Sequence, residues 1–295
     1  MTMTSDTKRV KTEDDITEEV LRRFDVTKDA RLRTVMQSLV KHLHAFAREV
    51  ELTDQEWFAG IEFLTAVGKK CAGNRQEFIL LSDTLGLSIL VDKINHRVPG
   101  SATETTVLGP FYRPGAEALP PGGNMATIDP TGTPLLIAGR VTDVAGTPIA
   151  DAVLDCWQAT SEGFYDSQMG EGEELGMRGV YRTDKDGRYL VRTTRPKWYP
   201  VPTDGPVGDM LRATNRHPYR PGHVHFMITA PGYQPLVTHI FDKDGEYLDS
   251  DTVFAVKDSL KVQFVERAAQ EAIGTRAGVS PPYVTAEFDF ALSPA

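Results

Sequence analysis

Apolar residues in the first third of the chain recur at intervals of three and four positions. One stripe lies between positions 32 and 50 and consists of Leu32, Val35, Met36, Leu39, Leu43, Phe46 and Val50. This spacing follows the turn of an α-helix and predicts an amphipathic helix. Thr53 and Glu56 form a capping-box pattern that predicts the start of a second helix. A third helix is expected over about 75–96, so that residues 16–98 are largely helical.

After Pro99 the pattern changes from helical stripes to short apolar runs separated by glycine and proline. The runs 135–141 and 152–158 have the length of strands, and 283–290 alternates apolar with polar residues. The pair Asp186-Gly187 predicts a tight turn of the kind that joins hairpins. Many short strands separated by turns are typical of an antiparallel β-sandwich.

These patterns predict an α+β fold with two domains. An all-helical domain is expected over residues 1–104, with the opening dozen residues disordered because they are polar and charged. An antiparallel β-sandwich, expected to be catalytic, would follow over residues 105–295. The predictions of the helices and strands depend mainly on the periodicity of apolar residues. They do not identify a function.

Composition and charge narrow the classes of function. The 295-residue chain carries a formal net charge of −9, which disfavours binding to nucleic acid or to anionic membrane surfaces. Its two cysteines, Cys71 and Cys156, lack the spacing of a disulfide framework or a thiolate metal site. Because the sequence contains no secretory or membrane-spanning apolar stretch, a cytoplasmic location is expected.

The candidate chemistry begins with His223-Val224-His225. Residues two apart on a strand point to the same face, so both imidazoles could bind one metal ion. The alternative is a pair of surface or hydrogen-bonded histidines. Two tyrosines, Tyr165 and Tyr199, also lie in distinctive loops, although a lone tyrosine is more often a packing residue. A phenol becomes a metal ligand only beside a strongly Lewis-acidic cation, so two tyrosinates with two histidines would select iron(III).

Four motifs in one order resemble those of the intradiol ring-cleavage dioxygenases, and the resemblance extends over nearly the whole chain. The motifs are Thr106-Val107-Leu108-Gly109-Pro110-Phe111-Tyr112, Gly163-Phe164-Tyr165, Trp198-Tyr199-Pro200 and Arg220-Pro221-Gly222-His223-Val224-His225. The resemblance implies one iron(III) per subunit, bound by Tyr165, Tyr199, His223 and His225. It also implies cleavage of an aromatic diol or triol by O₂, a homodimer formed by the helical domain, and in many members a phospholipid at the interface.

Within that family, the segment 80–83 and Phe111 are most similar to the hydroxyquinol and chlorocatechol branches. His239 stands where many catechol enzymes carry glutamine, so hydroxyquinol is the expected substrate and a chlorocatechol or catechol the alternative. Arg220 and Tyr199 are the expected catalytic residues, Arg220 for anionic charge on the ring and Tyr199 as a base. The expected substrate pocket consists of Leu80, Asp83, Val107, Leu108, Gly109, Pro110, Phe111, Val201, Pro202, Arg220, His239 and Val253.

Two alternatives come from other classes of protein. The stretch 139–152 is similar to transthyretin-type sandwich domains that bind without catalysing, and His223 with His225 could serve a zinc hydrolase. Both alternatives predict a colourless protein. Iron(III) bound to tyrosinate would make the protein reddish, so colour distinguishes these alternatives from the dioxygenase.

Overall fold

The computed structural model describes residues 12–73, 75–97, 100–169 and 175–295. The disorder expected for the opening dozen residues therefore lies outside the described residues, apart from Thr12, which caps the first helix. The described residues contain seven α-helices: α1 (Glu13–Phe24), α2 (Ala30–Glu49), α3 (Asp54–Lys70), α4 (Glu77–Thr84), α5 (Leu87–Asn95), α6 (Pro206–Ala213) and α7 (Ala272–Ala277). Among them, none combines the length and apolarity needed to span a bilayer.

The chain divides into two compact units, one up to Thr65 and one from Ala66 onwards. In the first unit, α2 confirms the helix predicted from the apolar stripe. Its start is capped by the Asp29 carboxylate, which accepts a hydrogen bond from the Leu32 amide at 2.9 Å. The stripe is exposed apart from the half-buried Met36, with relative accessibilities from 43% at Val35 to 53% at Leu43.

The prediction of a single helix over 75–96 is wrong, because the chain forms α4 and α5 with a break between them. At the break Gly86 adopts a left-handed conformation (φ 73°), which glycine enters without steric cost. The break changes which side chains share a face. Leu80 and Asp83 on α4 are buried, whereas Leu87 on α5 is 53% exposed, although a continuous helix would place all three side chains on one face.

The described residues also contain twelve strands. They are β1 (Pro134–Asp143), β2 (Val153–Gln158), β3 (Arg178–Arg182), β4 (Arg188–Thr194), β5 (Tyr199–Pro200), β6 (Tyr219–Arg220), β7 (His223–Thr229), β8 (Leu236–Asp242), β9 (Lys261–Val262), β10 (Val265–Arg267), β11 (Tyr283–Glu287) and β12 (Phe290–Leu292). One sheet has the order β10-β11-β1-β12 with β4 also paired to β1, a second has the order β3-β2-β7-β8-β9, and β5 pairs with β6.

The two larger sheets share one hydrophobic core, which confirms the sandwich. They are mixed rather than strictly antiparallel, because β1 pairs in parallel with β11 and β12, and β8 with β9. The turn at Asp186-Gly187 is present, but it joins β3 and β4, which lie in different sheets, and so it does not close a hairpin. Alternation predicts which side chains face the core but carries no information on the direction of the neighbouring strand.

Strand β7 decides where the polar residues of the sandwich lie. Val224, Phe226 and Ile228 point into the core shared by the two sheets. Because side chains alternate along a strand, His223 and His225 point to the opposite face of the β3-β2-β7-β8-β9 sheet. Both histidines are nevertheless buried, since the segments around Tyr165 and Tyr199 cover them on that face.

Candidate metal centre and active site

The histidine pair lies on one face of β7, as strand alternation predicts. The two Nε2 atoms are 3.1 Å apart, and each side chain is about 2% exposed. The Nδ1 atom of His223 lies 2.8 Å from the carbonyl oxygen of Pro221 and donates to it, since a carbonyl can only accept. This bond leaves the Nε2 lone pair of neutral His223 directed at His225, which is the arrangement of a metal-ligating imidazole.

Both tyrosines place their hydroxyls beside the histidines. The Tyr165 hydroxyl lies 3.1 Å from His225 Nε2 and 3.3 Å from the Tyr199 hydroxyl. A close passage of two loops permits this contact. Gly163 has a φ of 88°, and a β-carbon there would lie 3.0 Å from the Tyr199 Cβ. Glycine at position 163 therefore lets the chain approach Tyr199 closely enough to join the two phenols.

Arg220 faces Tyr199 across the two-stranded sheet, because the two residues pair directly in the β5–β6 register. Its Nη1 atom lies 3.3 Å from both the Tyr199 hydroxyl and His223 Nε2. Asp251 accepts from Arg220 Nε at 3.2 Å and also from the amides of Val253 and Ala255, which fixes the guanidinium. The buried Nη2 atom of Arg220 has no partner among the described residues and is available to an anion.

Burial sets the protonation of the protein groups. Burial lowers the pKa of His223 and of His225 well below the usual value, so both imidazoles are neutral at pH 7 and could serve as metal ligands. Burial, together with the neighbouring Tyr199, raises the pKa of Tyr165 well above 10. A phenol in this place ionises only if a cation offsets the loss of hydration, and a highly charged ion does so best.

His239 is the third histidine of the cluster. Among the described residues, one group of histidine, cysteine or acidic side chains has metal-binding spacing, and it consists of His223, His225 and His239 without any carboxylate. His239 is a weaker candidate ligand than the tyrosines because its Nε2 already lies 3.0 Å from the Val107 carbonyl. The donor set consists of two phenols and two neutral imidazoles, each with its donor atom 3.1–3.3 Å from that of at least one other member. This chemistry fits a hard trivalent cation such as iron(III).

Several predicted pocket residues surround these donors. The Phe111 ring stacks on Tyr165 at a centroid distance of 4.3 Å, and the α-carbon of Gly109 faces His225, whose Cε1 would lie 3.5 Å from a β-carbon there. Asp83 is buried, and this burial raises the pKa of its carboxyl, whereas a hydrogen bond with Ser88 and the positive charge of Arg220 act in the opposite direction.

The remaining pocket residues divide by exposure. Leu80, Val201 and Val253 are buried, whereas Leu108 is 40% exposed. Pro110 and Pro202, with Phe111, line a cavity of about 290 Å³ that Arg75 and Gln168 also border. None of the four donor residues lines this cavity, and Phe111, which stacks on Tyr165, connects it to the donor cluster.

Sequence reasoning missed Asp251 and Trp157. Asp251 orients Arg220, and the Trp157 ring stacks on His225 at 4.5 Å. Trp157 pairs with His225 in the β2–β7 register, and His225 pairs with His239 in the β7–β8 register, so one row across the sheet carries all three. A correct alignment of the strands would have revealed Trp157, but the sequence contains no local signal for that register.

Comparisons with known proteins agree with this site. The family model described as "Dioxygenase" matches residues 107–294, and the model "Catechol dioxygenase N terminus" matches residues 29–103. Hydroxyquinol 1,2-dioxygenase of Rhizobium sp. is 49% identical over 84% of each chain, and 6-chlorohydroxyquinol 1,2-dioxygenase of Cupriavidus pinatubonensis is 48% identical over 95% of this chain and 96% of that one. The crystal structure of hydroxyquinol 1,2-dioxygenase from Pseudomonas putida superposes with a TM-score of 0.90 at 51% identity, covering 96% of this chain and 99% of that chain.

The chain belongs to the intradiol ring-cleavage dioxygenase family, since both family models and relatives close to half identical span most of its length. The resemblance found in its motifs is thereby confirmed. Membership of this family excludes the two alternatives from other classes, the non-catalytic transthyretin-type module and the zinc hydrolase.

Proposed function

We propose that the protein cleaves hydroxyquinol (1,2,4-trihydroxybenzene) with O₂ to 3-hydroxy-cis,cis-muconate, the enol form of maleylacetate. The observation that carries the choice of substrate is the carboxyl of Asp83, which is buried within range of the Arg220 charge. A buried carboxyl is stabilised by hydrogen bonds. Ser88 supplies one to Asp83, and the third hydroxyl of hydroxyquinol, which catechol lacks, would supply another. The relatives named for hydroxyquinol and chlorohydroxyquinol cleavage support the same substrate.

Tyr165, Tyr199, His223 and His225 would hold one iron(III) in each subunit. Iron(III) would supply the redox chemistry that joins O₂ to the ring. The protein would provide charge and position. The Nη2 donor of Arg220, which has no partner among the described residues, could bind an ionised ring oxygen. The Tyr199 oxygen beside Arg220, once ionised, could accept a substrate proton and become a neutral phenol. His239, fixed to the Val107 carbonyl, holds the 107–111 segment against the ring pocket.

Asp83→Ala should narrow the preference for hydroxyquinol over catechol. A site built to bond a hydroxyl rejects analogues that lack it, because its own polar group is then left unpaired. The ratio of the two kcat/KM values should fall by about tenfold to a hundredfold, the range of one charge-assisted hydrogen bond. Oxygen uptake with hydroxyquinol, catechol and 4-chlorocatechol measures the ratio.

Glu77→Gln is the matched control for Asp83→Ala. Glu77 is also a buried acid on α4, but it pairs with Arg75 and accepts from the Val207 amide. The control should lose stability and keep the substrate ratio. An unchanged ratio in folded, iron-loaded Asp83→Ala protein would show that other residues select the substrate, and a higher rate with 4-chlorocatechol in the wild type would favour the chlorocatechol alternative.

We further infer that the first compact unit forms a homodimer through the α2 stripe. Leu39, Leu43 and Phe46 are 48–53% exposed, and contiguous apolar faces of this kind usually mark a protein interface. Leu43→Glu should therefore convert a dimer into a monomer at micromolar concentration, as measured by light scattering. Lys41→Glu, an exposed change on the other side of α2, should leave the dimer intact.

A wild-type protein that is monomeric at micromolar concentration would contradict the dimer. A phospholipid at this interface is the second part of the same proposal. Mass spectrometry of solvent extracts should find phospholipid in the wild type and less of it in Leu43→Glu.

A further inference from the structure

Outside the donor cluster, an ion pair is formed by Arg178 and by Asp166, the residue that follows Tyr165 in the chain. The guanidinium of Arg178 donates from Nε to Asp166 Oδ2 at 2.6 Å and from Nη2 to Asp166 Oδ1 at 2.5 Å. The two side chains are 2% and 1% exposed. A bidentate pair fixes the relative orientation of both groups, since the planar guanidinium matches the two carboxylate oxygens.

The pair connects two walls of the site. Asp166 follows Tyr165 directly in the chain, so fixing its carboxylate fixes the backbone from which the phenol extends. The Nη2 atom of Arg178 also donates to the Phe111 carbonyl at 2.7 Å. The rings of Phe111 and Tyr165 stack at 4.3 Å with only 17° between their planes. One guanidinium therefore holds the backbone under both members of this stack.

Arg178 also stands in the sheet row that carries the histidines. It pairs with Trp157 in the β2–β3 register, and the Trp157 ring stacks on His225. Arg178 is consequently connected to Tyr165 through Asp166 and to His225 through Trp157. These two residues place their donor atoms 3.1 Å apart.

Stability alone gives a weak reason for such a pair. Desolvating two buried charges offsets most of their attraction, and apolar replacements of similar size are often equally stable. The geometric role is stronger, because no apolar pair could bond the Phe111 carbonyl and orient the Asp166 backbone at once.

We propose that Arg178 and Asp166 are positioning residues that set the direction of the Tyr165 hydroxyl and the height of the Phe111 ring above it. The inference rests on the proposed function in that Tyr165 would be a ligand of iron(III) and Phe111 a wall of the ring pocket. A change in the pair should thus alter metal binding and substrate choice together, without touching either the metal or the substrate.

Arg178→Met removes the guanidinium, and Arg178→Lys keeps the positive charge without the bidentate geometry. Both variants should bind iron(III) about tenfold to a hundredfold more weakly than the wild type, the usual effect of removing a partner behind a metal ligand. Both should also shift the visible tyrosinate band and raise the KM for hydroxyquinol. Chelator competition and absorption spectra of the folded fraction measure the first two effects.

Arg195→Met is the control, because Arg195 also pairs with an aspartate, Asp242 at 2.6 Å, but through one nitrogen only and with 40% of its side chain exposed. It should lower stability to urea while leaving iron affinity and the band unchanged. If Arg178→Met changes only stability, like the control, the positioning role is overturned. If Arg178→Lys restores both affinity and band, charge rather than geometry matters, and the proposal also fails.

The metal-free proteins separate this inference from the proposed function. Near-ultraviolet circular dichroism should show loss of the signal from the Phe111–Tyr165 stack in Arg178→Met and its retention in Arg195→Met. A wild-type protein that binds no iron(III) would remove the proposed function, yet this comparison would still test the pair. Identical near-ultraviolet spectra for Arg178→Met and the wild type would overturn it.

Discussion

His223→Ala should leave a folded protein that retains little iron(III), has no visible tyrosinate band and shows no measurable ring cleavage. The substitution removes a donor atom that lies 3.1 Å from His225 Nε2 and is held in place by the Pro221 carbonyl. Its effect on iron affinity should exceed the roughly tenfold to hundredfold loss that follows removal of a residue behind a ligand. Elemental analysis and the absorption spectrum measure iron and band on the same sample.

His217→Ala provides the comparison for His223→Ala. His217 belongs to the same segment, but it packs against Tyr219 and Tyr247 and accepts from the Tyr219 amide. This control should keep its iron, colour and activity. A His223→Ala protein with full iron content and an unaltered band would show that the donor set is wrong.

Tyr199→Phe should bind part of the wild-type iron and lose far more turnover than iron. The change removes one oxygen from the donor cluster and, with it, the proton acceptor beside Arg220. Loss of a general base commonly costs about a hundredfold to ten-thousandfold in rate, so kcat per bound iron should fall by at least about a hundredfold. The visible band should also move, because one of two tyrosinates is absent.

The matched variant is Tyr219→Phe, on the opposite strand of the same two-stranded sheet, where Tyr219 pairs with Pro200. It should change neither band nor turnover by more than a few fold. If Tyr199→Phe keeps the wild-type turnover per iron, Tyr199 does not accept the proton.

The sequence predicted that the four donor side chains would lie together by two routes, strand alternation for the histidines and motif resemblance for the tyrosines. His223 and His225 needed only the alternation of side chains along a strand, and their Nε2 atoms do meet. Tyr165 and Tyr199 stood in loops of unusual composition, and the order of the motifs joined them to the histidines. The apolar stripe of α2 likewise predicted the helix without any tertiary information.

The features that the sequence did not predict depend on one local backbone conformation and on the alignment of distant segments. The break at Gly86 requires one residue in the left-handed conformation within an otherwise helical pattern. A glycine in a helical pattern does not by itself predict such a break. The parallel pairing of β1 with β11 depends on the path of the chain between these strands. The row of residues that contains Trp157 and Arg178 depends on the register of three strands, β3, β2 and β7. Asp251, far from Arg220 in the chain, also becomes its partner only in the folded protein.

We propose that two tyrosines and two histidines bind iron(III) for the cleavage of hydroxyquinol by O₂. The most direct test of this proposal is a titration of metal-free wild-type protein with iron(III), followed by oxygen uptake with hydroxyquinol on the same sample. We expect binding to saturate at one iron per chain with a reddish tyrosinate band, and each hydroxyquinol to consume one O₂ as the ring opens. Saturation without a visible band, or a coloured protein that consumes no O₂ with hydroxyquinol, would contradict the account.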